Sequence, residues 1–565
     1  MVPGSITIFN TANNHILLNY QSVFMSKIDW IILIVTLGSI IVYGIYKSKT
    51  SKNLEGYFLS NRSLPWYLVL LSIMGTQASA ITFLTGPGQA YSDGMRFVQY
   101  YFGLPLAMIV ICIFFVPVFS RLKVFTAYEF LEQRFDLKTR TLTSFLFLLS
   151  RGLSTGISIY APSLVLSSLM DWNIYYTNLV MGGLLIIYTM SGGAKAVAYT
   201  QKLQMIIVFV SLFIVGYLAV KLLPEAVGFN DALQIAGDNG KMNIITTGFT
   251  ENGFDWKDKY NIWSGLIGGF FLSLSYFGTD HSQVGRYLTA KDLKESRTGL
   301  LMNGLVKVPM QFFILLLGIL IFSFYQFHKA PVYFAPATVK AAMQTVYKDS
   351  LLSLEGKYNE ARDAGNTTGA TELRKEYKRV LTKALPGEDV NDNNYIFLSF
   401  VKDNLPVGLI GLIFAIIFLA AWGSIAAALN SLAACTVVDF HKKFFVKDET
   451  PLQDYKISQW YTLGWGVFCI VIAMFAQNIG NSLIEAVNIL GSLFYGVILG
   501  VFLVAFWIKY VKSNAVFIAA LVTELMVIAI YKMEIISFLW LNVIGAVFVI
   551  ILSLILQPFF RNMGK

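Results

Sequence analysis

Ala420 and Ser424 stand four residues apart in the apolar stretch FLAAWGSIAAALNSLAACTVVDF, so a helix places both on one face. Two chemistries fit this pair. A buried serine hydroxyl bonds back to the carbonyl four residues earlier. A hard cation such as sodium takes the same two oxygens as ligands. Spacing alone leaves both open. Charges inside apolar stretches are a second clue, because burying them in hydrocarbon is costly. Lys307 lies about eight residues into its stretch, roughly 12 Å along a helix. From there it reaches either an interior site or, by snorkelling, the surface. Arg151 is placed similarly, whereas Glu485 and Glu524 lie near stretch ends and read as interfacial. None of the four makes a clear proton relay. The glycines from Gly265 to Gly269 resemble a phosphate cradle but lack its Lys-Ser/Thr and sit in an apolar run. Cys112, Cys435 and Cys469 show neither metal nor redox spacing and read as small core residues without a disulfide.

Interrupted helices offer another kind of site. Unwound backbone frees carbonyl oxygens, and a membrane tolerates this only where they line a cavity or bind something. The stretch LVLLSIMGTQASAITFLTGPGQAY carries Gly75, a polar middle, then Gly86-Pro87-Gly88. A later stretch, IWSGLIGGFFLSLSYFGTD, carries Gly265, Gly268, Gly269 and Gly278 around Ser273 and Ser275. Small residues also serve close helix packing. The corresponding positions of the two stretches, five spans apart, favour two inverted five-helix repeats.

The elements that must hold these residues follow from composition. The chain has 565 residues, 56% hydrophobic and 13% charged, against about 25% charged in soluble domains. A bilayer is therefore its solvent. A crossing needs about 20 apolar residues, and thirteen runs qualify: 28–46, 66–91, 97–119, 140–170, 173–191, 202–222, 261–281, 299–326, 405–438, 457–477, 482–508, 514–531 and 535–557. We number these spans 1 to 13. The fold class expected is an all-α membrane protein of about thirteen transmembrane helices.

The formal charge of +10 reads as topology rather than nucleic-acid binding, since basic residues collect in cytoplasmic loops. Lys47, Lys49, Lys52 and Arg62 follow span 1; Arg121, Lys123, Arg134 and Lys138 follow span 3; Lys195 follows span 5. Arg286, Lys291, Lys294 and Arg297 follow span 7; Lys442, Lys443, Lys447 and Lys456 follow span 9; Lys509 and Lys512 follow span 11; Arg561 and Lys565 close the chain. The odd-numbered connections are consistently basic, and the short even-numbered ones, around Asp93, Asp171, Asn478 and Lys532, are not. This alternation puts the N-terminus outside and the C-terminus in the cytoplasm of a plasma-membrane protein.

The organisation expected is an N-terminal extension (1–27), a first helix and loop (28–62), a first repeat (63–222), an external loop (223–260), a second repeat (261–510) and C-terminal helices (511–565). Residues 1–24 lack the pattern of a signal peptide, and Met25 directly before span 1 is read as the translation start. Within the second repeat, residues 328–404 form an external insertion. Its stretch EGKYNEARDAGNTTGATELRKEYKRVLTKAL reads as one or two exposed, solvated helices.

Four motifs resemble those of the sodium/solute symporter family, whose members carry sugars, monocarboxylates, vitamins, iodide, proline and sialic acid. They are GTQASAITFL with Gly86 and Tyr91, YTMSGGAKAVAYTQKLQ, TDHSQVGRYLTA, and Leu429-Asn430-Ser431 with the small residues before it. The resemblance covers roughly residues 28–510. It implies the LeuT-like fold with spans 2–6 and 7–11 as inverted repeats, and transport rather than catalysis. By motif it implies a sodium site from the carbonyls of Gly75, Ala78 and Ala420 and the hydroxyl of Ser424. The family's usual second hydroxyl is here Gly423. The acid of a second sodium site is here Gln201, and its hydroxyls are Ala426 and Ala427. One sodium per cycle is therefore expected, with sodium as the coupling ion and no cofactor. The substrate cavity implied is lined by Gln77, Thr82 and Tyr101. Tyr101 stands where some sugar carriers have an acid, so a monocarboxylate-like anion competes with a sugar as the solute. The rival functions are a proton-coupled or uncoupled carrier on the same fold, a channel, and a transporter-like sensor. Solute and oligomeric state stay open.

Overall fold

The computed structural model describes residues 25–47, 53–170, 172–387, 390–445, 450–476 and 483–561. The stretch before Met25, with the expected translation start upstream boundary, lies outside the described residues, as do Lys49, Lys52, Asp171, Lys447, Asn478 and Lys565. In lipid each backbone N–H and C=O must find a partner inside the chain, so apolar runs fold as helices. Among the described residues ten helices are long and apolar enough to cross a membrane, and an eleventh span is a helix pair bent by 61°. Two shorter apolar helices, Ile174–Met190 and Ser264–Gly278, fall on spans 5 and 7. Each of the thirteen runs thus holds an apolar helix.

The connections gather into two sets. Arg62, after span 1, donates to the carbonyls of Lys123 and Val124, after span 3. Arg134 donates to Ala505, Ile508 and Val511 at the end of span 11. Leu64 pairs with the strand-like backbone around Ala290, after span 7. The other set meets at the opposite end. Arg96, after span 2, bridges to Asp258 at 2.8 Å, before span 7. Lys259 bridges to Glu485 at the start of span 11 at 2.9 Å. We call these ends the basic face and the insertion face.

Spans 5 and 6 are two helices, Ile174–Met190 and Gly193–Lys221, joined by a kink within YTMSGGAKAVAYTQKLQ rather than by an open loop. The chain turns at Gly193, whose φ of 58° suits a residue without Cβ. A Cβ there would stand 3.0 Å from the carbonyl of Tyr57.

On the insertion face, residues 223–260 form a helix, Phe229–Asp238, and a two-stranded hairpin pairing Phe249 with Phe254. Residues 328–404 form helices Pro336–Ala342, Lys348–Asp363, Thr367–Ala384 and Asn393–Asn404. They enclose a small core of their own with Tyr333, Leu351, Tyr377 and Leu381 at its centre. The polar stretch is not solvated throughout. Arg374 and Lys378 turn inward to a fully buried Asp392, at 2.8 and 2.6 Å.

Candidate functional site

The bend in span 2 separates helix 2a, Trp66–Gln77, from helix 2b, Ala80–Asp93. In an unbroken helix the Ser79 N–H would bond to the Gly75 carbonyl and the Thr82 N–H to the Ala78 carbonyl. Instead, Ser79 donates to Gln77 at 2.9 Å and Thr82 to Ser79 at 3.0 Å. The break therefore releases the carbonyls of Gly75 and Ala78 from their helical donors. Both belong to the expected cation set.

The other half of that set is on span 9, Leu409–Cys435, which packs against 2a and 2b. Ser424 donates its hydroxyl back to the carbonyls of Ala420 and Ala421, at 3.0 and 3.1 Å. This back-bonding uses the hydroxyl proton and leaves oxygen lone pairs. Gln201 of span 6 ties the two halves together. It accepts from Ser72 of 2a at 2.8 Å and donates to Thr76 of 2a and to the Gly423 carbonyl of span 9, at 3.2 and 3.1 Å. The space beside Gly423 is filled: a Cβ there would meet Gln204 Oε1 at 2.5 Å. A serine or threonine hydroxyl would need Gln204 to move.

A cavity of about 120 Å³ opens beside the break. Gln77, Thr82 and Tyr101 all line it. Thr82 Oγ1 lies 3.4 Å from the Gln77 carbonyl, and the buried Gln77 side-chain oxygen has no hydrogen-bond partner among the described residues. Tyr100 closes one wall by donating to Asn488 at 3.1 Å.

Both buried cations point into this cavity. Lys307 does not snorkel: it is 2% exposed, and its Nζ stands 5.6 Å from the centre of the Tyr101 ring. Arg151 lies 3.9 Å from Asp280 and 5.8 Å from the Tyr276 ring centre. Asp280 belongs to the break of span 7, where Thr279 and Asp280 interrupt helices Gly269–Gly278 and His281–Tyr287. It caps the second helix through Ser282 N–H at 2.7 Å and accepts from Tyr495 at 2.7 Å. The two broken spans thus meet the same cavity, one by its polar turn and one through Ser273, Tyr276 and Phe277.

Sequence reasoning flagged Arg151 and Lys307 as buried charges but did not select Tyr276, Asp280, Asn488 or Tyr495. Asp280 had a signal, an acid inside the TDHSQ motif. Asn488 and Tyr495 had none, because they look like ordinary packing in an apolar run. Two carboxylates part ways from one another. Glu485 bonds Lys259 and Tyr260 near the insertion face. Glu524 is buried, with neither oxygen hydrogen-bonded to a described residue.

The family model described as "Sodium:solute symporter family" matches residues 57–348 and 375–523. The sodium/sialic acid symporter of Aliivibrio fischeri is 26% identical over 538 residues, covering 95% of this chain and 94% of that protein. The human sodium/iodide cotransporter is 30% identical over 252 residues, 45% of this chain and 38% of that protein. A solved structure of a Na+-coupled sialic acid symporter, substrate-bound and outward-open, superposes with a TM-score of 0.76. It shares 23% identity, with 95% of this chain and 98% of that one covered, and shows the same LeuT-like fold. By the extent of the family match and by its fold, the chain belongs to the sodium:solute symporter family.

Proposed function

We propose that this chain takes up one sodium ion with one small organic solute per cycle, by alternating access. Sodium-coupled symport of small solutes across a membrane is the activity of the family. The finer reading rests on one observation: the break in span 2 both releases the Gly75 and Ala78 carbonyls and forms the wall of the cavity lined by Gln77, Thr82 and Tyr101. A cation and a solute on the two sides of one bend would each stabilise the same backbone, which is a direct means of coupling.

In this reading sodium sits between 2a and span 9, on the carbonyls of Gly75, Ala78 and Ala420 and the hydroxyl of Ser424. Neutral oxygens suit a hard monovalent cation. The ion holds the bend against span 9, the solute fills the cavity, and rocking of the repeats exposes both to the other side. Following the basic loops, the basic face is cytoplasmic, the N-terminus is outside and the C-terminus inside a plasma membrane. One charge crossing 100 mV gains about 2.3 kcal/mol, and a tenfold gradient about 1.4 kcal/mol. Together they support roughly 500-fold accumulation of a neutral solute.

Gln201 gives the second reading its footing. Its amide already bridges 2a to span 9 through Gly423, a contact that works without sodium and would serve a sodium-independent carrier. Thermal unfolding of the purified chain in sodium against potassium, at equal ionic strength, separates the two. A ligand at 100 times its Kd stabilises by about 2.7 kcal/mol. Sodium is expected to raise the wild-type midpoint and to lose that effect in Ser424→Ala. Equal midpoints in both salts would favour the sodium-independent carrier.

A further inference from the structure

The cavity beside the span 2 break is lined, among the described residues, by two cations, Arg151 and Lys307, and by no carboxylate. Arg151 has Asp280 behind it at 3.9 Å. Lys307 makes no ion pair or hydrogen bond with any described residue. Its one described interaction is the face of Tyr101 at 5.6 Å. Lys307 is thus the lining cation without a counter-charge among the described residues.

An ammonium buried this deeply is costly unless something pairs with it. Three ordinary explanations fall short. Snorkelling is ruled out by the 2% exposure of Lys307. A cation–π contact with one tyrosine is weaker than the loss of hydration. Packing alone would be better served by a methionine or leucine of similar length, which brings no charge. A solute that brings a negative charge would supply the missing partner.

Resting on the reading of this cavity as the substrate site, we infer that the solute is a small carboxylate held by Lys307 and carrying an O–H or N–H donor for Gln77. The ammonium supplies a charge-assisted hydrogen bond to the carboxylate. The orphaned side-chain oxygen of Gln77 asks for a donor. Tyr100, Tyr101 and Tyr276 provide aromatic faces for the carbon skeleton. A neutral sugar would fill the same space but bring no counter-charge for Lys307. With one sodium per cycle, a monoanion makes transport electroneutral, so the sodium gradient drives it and the membrane potential does not.

The test is thermal unfolding of the purified full chain in sodium buffer with lactate, gluconate, N-acetylneuraminate, glucose or myo-inositol. The wild type is compared with Lys307→Met and Lys307→Arg. At least one of the three carboxylates is expected to raise the wild-type midpoint, and neither neutral compound is. Lys307→Met should weaken that carboxylate by about 10- to 100-fold, and Lys307→Arg should restore most of the affinity. Without any solute, Lys307→Met should unfold at a higher temperature than the wild type, which a purely structural lysine would not allow. Stabilisation by glucose or myo-inositol alone, no response to any carboxylate, or unchanged carboxylate affinity in Lys307→Met would each overturn the inference. The wild-type midpoint in sodium against potassium tests the transporter reading separately.

Discussion

At the scale of the residue, the Arg151–Asp280–Tyr495 cluster shows how a buried charge is kept in place. Asp280 is fully buried and faces both the guanidinium, at 3.9 Å, and the Tyr495 hydroxyl, at 2.7 Å. Asp280→Asn keeps the helix cap, since asparagine caps as well as aspartate, but leaves Arg151 without its counter-charge. Removing one partner of a buried pair costs about 3–5 kcal/mol, and the length of this contact puts the expected loss near the lower end. Tyr495→Phe removes one hydrogen bond to a charged group, worth about 1.5–3 kcal/mol. Because the two share Asp280, the double variant should lose less than the two single losses combined. Denaturation midpoints of the four proteins check this; full additivity would mean that the tyrosine and the arginine do not act through Asp280. That a charge sat here was legible in the sequence, because an arginine and a lysine inside apolar runs must be explained. Where they pointed was not. A residue's position along a helix fixes its depth, while the face it presents depends on how the helix is rotated against its neighbours.

At the scale of the element, glycine-rich stretches turn out to do two jobs. In span 7 a Cβ on Gly265 would meet the Gln99 carbonyl at 2.1 Å, and one on Gly269 would meet that of Tyr100 at 2.5 Å. These glycines let the helix press against the first turn of span 3. The interruption itself comes later, at Thr279 and Asp280, where polar side chains take over the freed backbone groups. Span 2 behaves alike: the bend follows Gly75 by three residues, while Gly88 lies against Asn393 of the insertion. The sequence therefore marked the right two spans, and in span 2 the polar middle beside Gly75, whereas the glycines of span 7 mark packing rather than the break. Glycine permits both close packing and a break, and only the partners of the freed carbonyls distinguish the two. Gly88→Ala tests the packing role. Its Cβ would stand 1.9 Å from the Asn393 carbonyl, a backbone atom that cannot swing aside. Overpacking of this kind costs about 1–3 kcal/mol. Gly183→Ala, with nothing within 4 Å of the new methyl, should be neutral or gain up to about 1 kcal/mol from helix propensity. Unfolding midpoints in one detergent rank the pair, and the reverse order would show that the contact with the insertion is not firm.

At the scale of the whole molecule, the insertion is fastened to the part of the transporter that alternating access requires to move. Arg374 stands 5.6 Å over the ring of Tyr91 near the end of helix 2b and 5.0 Å over that of Phe334. Ser92 at the same helix end donates to Asn393 at 2.6 Å. The buried Asp392 is the hinge pin of this fastening: it takes Arg374, Lys378 and the Phe334 N–H. Burial pushes its carboxyl pKa upward, but the two cations and the backbone donor outweigh burial and hold it below the ordinary value of 3.8. A carboxylate with a lowered native pKa stabilises in full above its unfolded value, and that contribution is lost as pH falls through the native one. The insertion should accordingly stay docked at neutral and mildly acidic pH and loosen below about pH 4. Hydrogen-exchange protection of peptides within 348–384, compared with peptides of span 6 as an internal reference, reads this directly. Asp392→Asn should lower protection at neutral pH and flatten its dependence on acid. If wild type and Asp392→Asn lose protection along the same curve, some other group controls the docking. A docked insertion holds the end of 2b, so loosening it should shift the balance of open and closed forms on the insertion face, and sodium-driven uptake should change with it in Asp392→Asn at neutral pH.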